Sequence, residues 1–206
     1  MNLNKKALIG NILLLAMELA GLISLLVITK GIDLKYYTNW SNILGLIVAI
    51  LFIINYFTKE KNKALNEIVK YLKLTSTICL TVTFLVVIFM FVPMAHFDFY
   101  SLAIKDNFYS FHLFSPIIAF ICFMFLEKYE FNYLKDTIIG MIFTIIYSIV
   151  VSILILNKVV TAPYPFLDFY AHSIIVNIFS MIGMFVVIIG LTLLFIFIKR
   201  KQKENI

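Results

Sequence analysis

Six long apolar blocks, separated by short polar stretches, constrain this chain more than anything else in it. They are Ala7–Thr29, Asn42–Phe57 with an expected start near Thr38, Tyr71–Val92, Phe111–Leu126, Thr137–Leu156 and Phe169–Ile198. A helix needs roughly 20 apolar residues to cross about 30 Å of hydrocarbon. The second and fourth blocks are short for this and must recruit flanking aromatics, whereas the sixth is long enough to tilt or protrude. A chain that is 63% hydrophobic and 14% charged, with a mean hydropathy of +1.02, is excluded from the water-soluble globules. Backbone groups left unpaired in lipid are too costly, so blocks of this length must be helices. The lack of period-two alternation argues against a membrane barrel. The expected fold is an all-α integral membrane protein. It forms one domain over 1–206, with six transmembrane helices at about 7–29, 38–57, 71–92, 111–126, 137–156 and 169–198.

Positive charge orients the bundle. The first, third, fifth and seventh connecting segments carry Lys5 and Lys6; Lys59, Lys61, Lys63, Lys70 and Lys73; Lys128 and Lys135; and Lys199, Arg200, Lys201 and Lys203. The other three hold only Lys30, Lys35, Lys105 and Lys158. The positive-inside rule then puts both termini in the cytoplasm of a cell-membrane protein. The net charge of +6 is explained by these lysines meeting anionic lipids at the cytoplasmic face, and no nucleic-acid partner is implied. The first span has no small-residue cleavage site and exceeds a signal-peptide core, so it is expected to stay as a helix. Cys79 and Cys122 fall inside spans without a motif and read as small apolar fillers. Heavy Lys, Asn and Ile usage with a single Arg suits an AT-rich bacterial coding bias.

Groups able to do acid–base chemistry gather at the outer face. His96 lies in the long connection Pro93–Ser110, His112 opens the fourth span and His172 opens the sixth. Asp33, Asp98, Asp106 and Asp168 are on the same side, with Thr38, Asn39, Ser41 and Asn42 opening the second span. The aromatic connection (Phe97, Phe99, Tyr100, Phe108, Tyr109) is expected to lie in the headgroup layer as a lid over an outward-opening pocket. Three helix N-termini also point outward and favour an anion or oxyanion, as in any six-pass protein with both ends inside.

Thr38 and His112 match in depth, each in the first turn of an inward-running helix. A threonine hydroxyl attacks a carbonyl only when a base within reach takes its proton, and histidine suits that task. The bland alternatives are a helix cap or turn residue for Thr38 and an interfacial residue ahead of Pro116 for His112. Asp168 follows Ala162-Pro163-Tyr164-Pro165-Phe166-Leu167 and reads as the N-cap of the sixth helix, or as a carboxylate orienting a histidine. Asn39, Ser41 or Asn42 could stabilise an oxyanion. A metal-site alternative uses His96-x-Asp98, His112 and Asp168-x-x-x-His172 to hold zinc and activate water. A transporter alternative centres on Glu18 near the middle of the first span, with Asn11, Asn55, Thr75, Ser76, Thr77, Thr81, Thr83 and Asn177 lining a path. A non-catalytic scaffold is the remaining class.

Lys35-Tyr36-Tyr37-Thr38 before the second span, His112 shortly before Pro116, and Tyr164-Pro165-Phe166-Leu167-Asp168 before the last span together resemble the androgen-induced-gene-one family. That family includes the androgen-dependent regulator of tissue-factor-pathway inhibitor and short bacterial six-pass relatives. The resemblance covers nearly the whole chain, and Asn39-Trp40-Ser41-Asn42 is of the bacterial type. It implies a six-pass threonine hydrolase of lipid esters, of the fatty acid ester of hydroxy fatty acid kind. The substrate would come from the bilayer, no cofactor would be needed, and the nucleophile would fall on Thr38 and the histidine on His112.

The charge asymmetry has a direct test. A fluorescent reporter fused after Lys203 should fluoresce and a phosphatase there should be inactive, with the reverse for fusions after Lys158. A fluorescent Lys158 fusion would invert the orientation.

Overall fold

A computed structural model of the chain describes residues 4–58, 61–100, 102, 105 and 110–204. The expected outer residues Asp106, Phe108 and Tyr109 and the basic Lys59 lie outside the described residues. Every regular element among those described is helical. Five helices are long and apolar enough to cross a membrane: α1 (Lys5–Thr29), α2 (Tyr37–Phe57), α3 (Lys63–Met94), α5 (Tyr133–Leu156) and α6 (Ile174–Glu204). Between α3 and α5 lies α4, the shorter apolar helix Ser110–Leu126.

The helices begin close to where the apolar blocks predict, with two instructive differences. Helix α3 starts at Lys63, where Asn62 accepts from the Leu65 amide as an N-cap, so two polar turns precede its apolar stretch. Helix α6 starts only at Ile174, because residues 163–168 form a turn around a short 3₁₀ helix, Pro165–Leu167. Asp168 is therefore not the N-cap of the last helix. Its carboxylate accepts from the amides of Tyr170 and Ala171 and caps a local turn, while Ser173 accepts from Val176. Thr38 is not an N-cap either, since α2 begins one residue earlier with Tyr36 in the capping position.

Helix α3 is the central pillar. Lys73 through Leu80 are buried without a break, so all sides of this stretch face protein. It packs against α2, α4, α5 and α6. Helix α1 lies outside it, against α2 and α4, and presents Ala7, Asn11, Leu14, Glu18, Gly21 and Leu25 inward at alternating spacings of four and three, with Gly10 beside Asn11. Gly21 lets the Phe111 ring of α4 press directly on the α1 backbone: a Cβ there would stand 2.3 Å from Phe111 Cδ1. The hydroxyls of the central helix are mostly spent locally. Thr77 donates to the Lys73 carbonyl and Thr81 to the Thr77 carbonyl, each at 2.7 Å, and Thr75 donates to Ile139 of α5. Such back-bonded hydroxyls act as glue and give little support to a continuous polar path.

One end of the bundle is closed by charge. Lys73 Nζ lies 2.9 Å from Glu127 Oε1 and donates to Asn11 Oδ1 at 2.8 Å, while Asn11 donates to the same Glu127 oxygen at 2.8 Å. All three side chains are buried. The α4 carbonyls left without helical partners are capped from elsewhere: Lys199 donates to Met124 and Glu127, Gln202 to Met124 and Asn4 to Leu126. This network ties α1, α3, α4 and α6 together at the lysine-rich end. Removing one partner of a buried pair strands the other charge, so Glu127→Ala should cost about 3–5 kcal/mol. The double replacement Lys73→Met, Glu127→Leu should restore most of it, and thermal unfolding in detergent would measure both.

Candidate functional site

The opposite end of the bundle is built from uncharged hydroxyls and aromatic rings. The turn between α1 and α2 is held from three directions: Asn39 donates to the Asp33 carbonyl, Trp40 Nε1 to Leu34 and the Tyr147 hydroxyl of α5 to Lys35. The Tyr37 hydroxyl pairs with Thr144 Oγ1 at 2.7 Å, and its ring meets Tyr147 edge-on. Ser41 Oγ donates to the Thr38 carbonyl and pairs with Thr83 Oγ1 of α3 at 2.8 Å; Asn42 also donates to the Thr38 carbonyl. Ser41 and Asn42 thus hold the first turn of α2 in place.

Around this turn lies a partly open pocket, whose empty space of about 580 Å³ includes open solvent. Its polar wall is Tyr37, Thr38, Thr83, Thr144, Tyr147, Ser148 and Tyr164, and its apolar wall comes mainly from Val82, Val86, Leu167 and the α6 residues Met181, Met184, Phe185 and Ile188. Among the described residues, no charged side chain lines it. An occupant therefore meets a mainly apolar lining with several hydroxyls in it, which suits an uncharged, chain-bearing molecule.

Tyr164 connects the pocket to the chain that covers it. Its ring stacks between Phe91 and Phe166, and its hydroxyl accepts the Tyr37 amide at 2.9 Å, an N–H that α2 itself cannot satisfy. Burial pushes this phenol above the ordinary tyrosine range, opposed by the Thr38 side chain beside it and by the Tyr37 amide. Tyr164 consequently stays neutral and is no base. The cover comes from the α5–α6 connection, where Tyr164, Phe166 and Leu167 line the pocket. None of the described residues of 93–110 does so. The expected lid is corrected to that extent: Pro93 and Met94 continue α3, and His96 and Phe97 form the left-handed turn that ends it.

The candidate residues divide accordingly. Thr38 is on the pocket wall; His112 is not among the lining residues. His112 sits in the opening π-helical turn of α4, with Nδ1 2.7 Å from the Leu102 carbonyl. A carbonyl only accepts, so Nδ1 carries the proton and a neutral ring keeps its lone pair on Nε2. Asn39, Ser41 and Asn42 have structural partners and do not line the pocket. His96, Asp98 and His172 are exposed. Among the described residues, no three His, Cys, Asp or Glu side chains form a group able to hold a metal ion.

Sequence reasoning missed Thr144, Tyr147 and Ser148 as site residues. Their signal was present: Gly140, Thr144, Tyr147 and Val151 recur at helical spacing as the buried stripe of an otherwise lipid-facing helix. Replacing Tyr164 by Phe should leave the Tyr37 amide unpaired at a cost of about 1–3 kcal/mol, seen as a lower unfolding midpoint in detergent. No protein-family model, curated protein or solved structure matches the chain.

Proposed function

We propose that this is a six-pass membrane protein with both termini in the cytoplasm, and that it hydrolyses lipid esters with Thr38 as nucleophile. The observation that carries the reading is the position of Thr38 on the lining of the pocket, among apolar side chains and further hydroxyls. An ester carbonyl held there would have its acyl chain against Met181, Met184, Phe185 and Ile188. A lining without a cation among the described residues favours a neutral ester over a phosphate-bearing lipid. The sequence resemblance to six-pass threonine hydrolases supports the same assignment.

In this reading His112 is the base. Its Nδ1–H is held by Leu102, so the lone pair of the neutral ring lies on Nε2, and that is the atom that would accept the Thr38 proton, directly or through one water, once substrate is bound. Thr38 Oγ then attacks the carbonyl carbon. The N-terminus of α2 supplies positive potential for the oxyanion, and the leaving alcohol departs with the proton from His112. Water, deprotonated by the same ring, attacks the acyl-threonine; the fatty acid leaves and Thr38 regains its proton.

Purified wild type and Thr38→Ala would be assayed on neutral lipid esters, including branched esters of hydroxy fatty acids. Turnover should fall at least about a thousandfold in Thr38→Ala with the unfolding midpoint unchanged. Wild-type turnover in a folded Thr38→Ala protein would discard the mechanism.

A further inference from the structure

Glu18 is fully buried near the middle of α1, facing the seam where α1, α2, α3 and α4 meet. Gly45 of α2 makes room for it: a Cβ at that position would stand 2.5 Å from Glu18 Oε1 and 3.2 Å from Leu80 of α3. Among the described residues no cation accompanies the carboxyl. The polar group beside it is the Ser115 hydroxyl of α4, yet neither Glu18 oxygen nor Ser115 Oγ makes a well-formed hydrogen bond. The titratable and charged groups of the helices packed on it are engaged elsewhere. Lys73 of α3 pairs with Glu127, Cys79 lies near Thr144, Tyr37 of α2 bonds Thr144, His112 of α4 bonds Leu102, and Cys122 packs at Gly10, two turns of α1 away. A lone charge in that position is expensive, and a neutral carboxylic acid is the form such a site accepts.

Two more unpartnered polar atoms lead from Glu18 toward the pocket end. Asn42 lies one turn before Gly45 on α2 and is buried with Oδ1 unpaired, while its amide nitrogen donates to the Thr38 carbonyl. Ser110 is buried with Oγ unpaired, next to Phe111, whose ring sits on Gly21 one turn beyond Glu18. Buried polar atoms in this state are normally satisfied by water. Glu18, Ser115, Asn42 and Ser110 thus lie on three helices that pack on one another, α1, α4 and α2, with Ser110 in the first turn of α4.

We propose that Glu18 is a proton-binding site that exchanges its proton with the pocket end of the bundle along Ser115, Ser110 and Asn42. The ligand is the proton alone. The assignment does not rest on the hydrolase reading, and Thr38→Ala should leave it intact.

Infrared spectroscopy of the purified full-length protein in H₂O and D₂O tests this. Wild type should show a protonated-carboxyl carbonyl band that is absent in Glu18→Gln, shifts promptly on transfer to D₂O and vanishes as pH rises. Ser115→Ala should keep the band and slow its isotope shift several-fold, a readout that survives if Glu18→Gln fails to fold. A Glu18 band that never shifts and persists at alkaline pH would make it a sealed structural acid and overturn the proposal. An unchanged shift rate in Ser115→Ala would overturn the route. Loss of the band on adding sodium chloride at constant pH, but not choline chloride, would overturn the proton in favour of an alkali cation.

Discussion

Hydrocarbon offers no hydrogen-bond partner, and this one constraint reaches every part of the molecule. It makes each apolar block helical, it turns the hydroxyls of Thr77 and Thr81 back onto their own helix, and it forces the ends of the helices to be closed by side chains from their neighbours. The C-terminal carbonyls of α4 illustrate the last point. They are met by Lys199, Gln202 and Asn4, residues that are distant in sequence and converge only because the start of α1 lies level with the ends of α4 and α6.

The two ends of the bundle satisfy the constraint with different chemistry. At the lysine-rich end, charges are buried only in company: Lys73 with Glu127 and Asn11, and Lys199 with helix carbonyls whose partial negative charge it offsets. At the other end the buried groups are phenols, alcohols and amides. Lys35 and Asp33 stay at the surface as an ion pair at 3.2 Å. A cavity set among neutral donors and acceptors selects ligands differently from one set among cations. It discriminates by hydrogen-bond fit and apolar length, with little dependence on ionic strength.

Between these ends, α1 is where the constraint is met least completely. Its inward face carries Asn11, fully partnered, and two turns later Glu18, with neither oxygen in a well-formed hydrogen bond. Pairing within one helix face is thus uneven, and the helices packed on Glu18, α2 and α4, also carry buried polar atoms without a partner, on Asn42, Ser110 and Ser115. Buried polar atoms without a partner occur elsewhere too, on the Asn55 amide and on Asn177, but Glu18 is the carboxyl among them with both oxygens in that state.

Local composition determined the all-helical class and the approximate limits of the apolar helices, because hydrophobic length against a fixed bilayer thickness is a one-dimensional property. It also marked Thr38, Tyr164 and Glu18 as unusual, since a polar residue in or beside an apolar block is visible without a fold. The start of α6 was not legible, because Phe169 and Tyr170 are as apolar as a helix but follow a double-proline turn that Asp168 caps locally. Nor was the company each residue keeps. That Tyr164 caps α2 across 127 positions, that Thr38 faces a pocket wall supplied by α5 and α6, and that Glu18 meets Ser115 in a space left by Gly45 depend on which helix faces meet. Helices in lipid choose those faces by close packing and hydrogen bonding, both of them pairwise and long-range in sequence, so only the tertiary structure decided them.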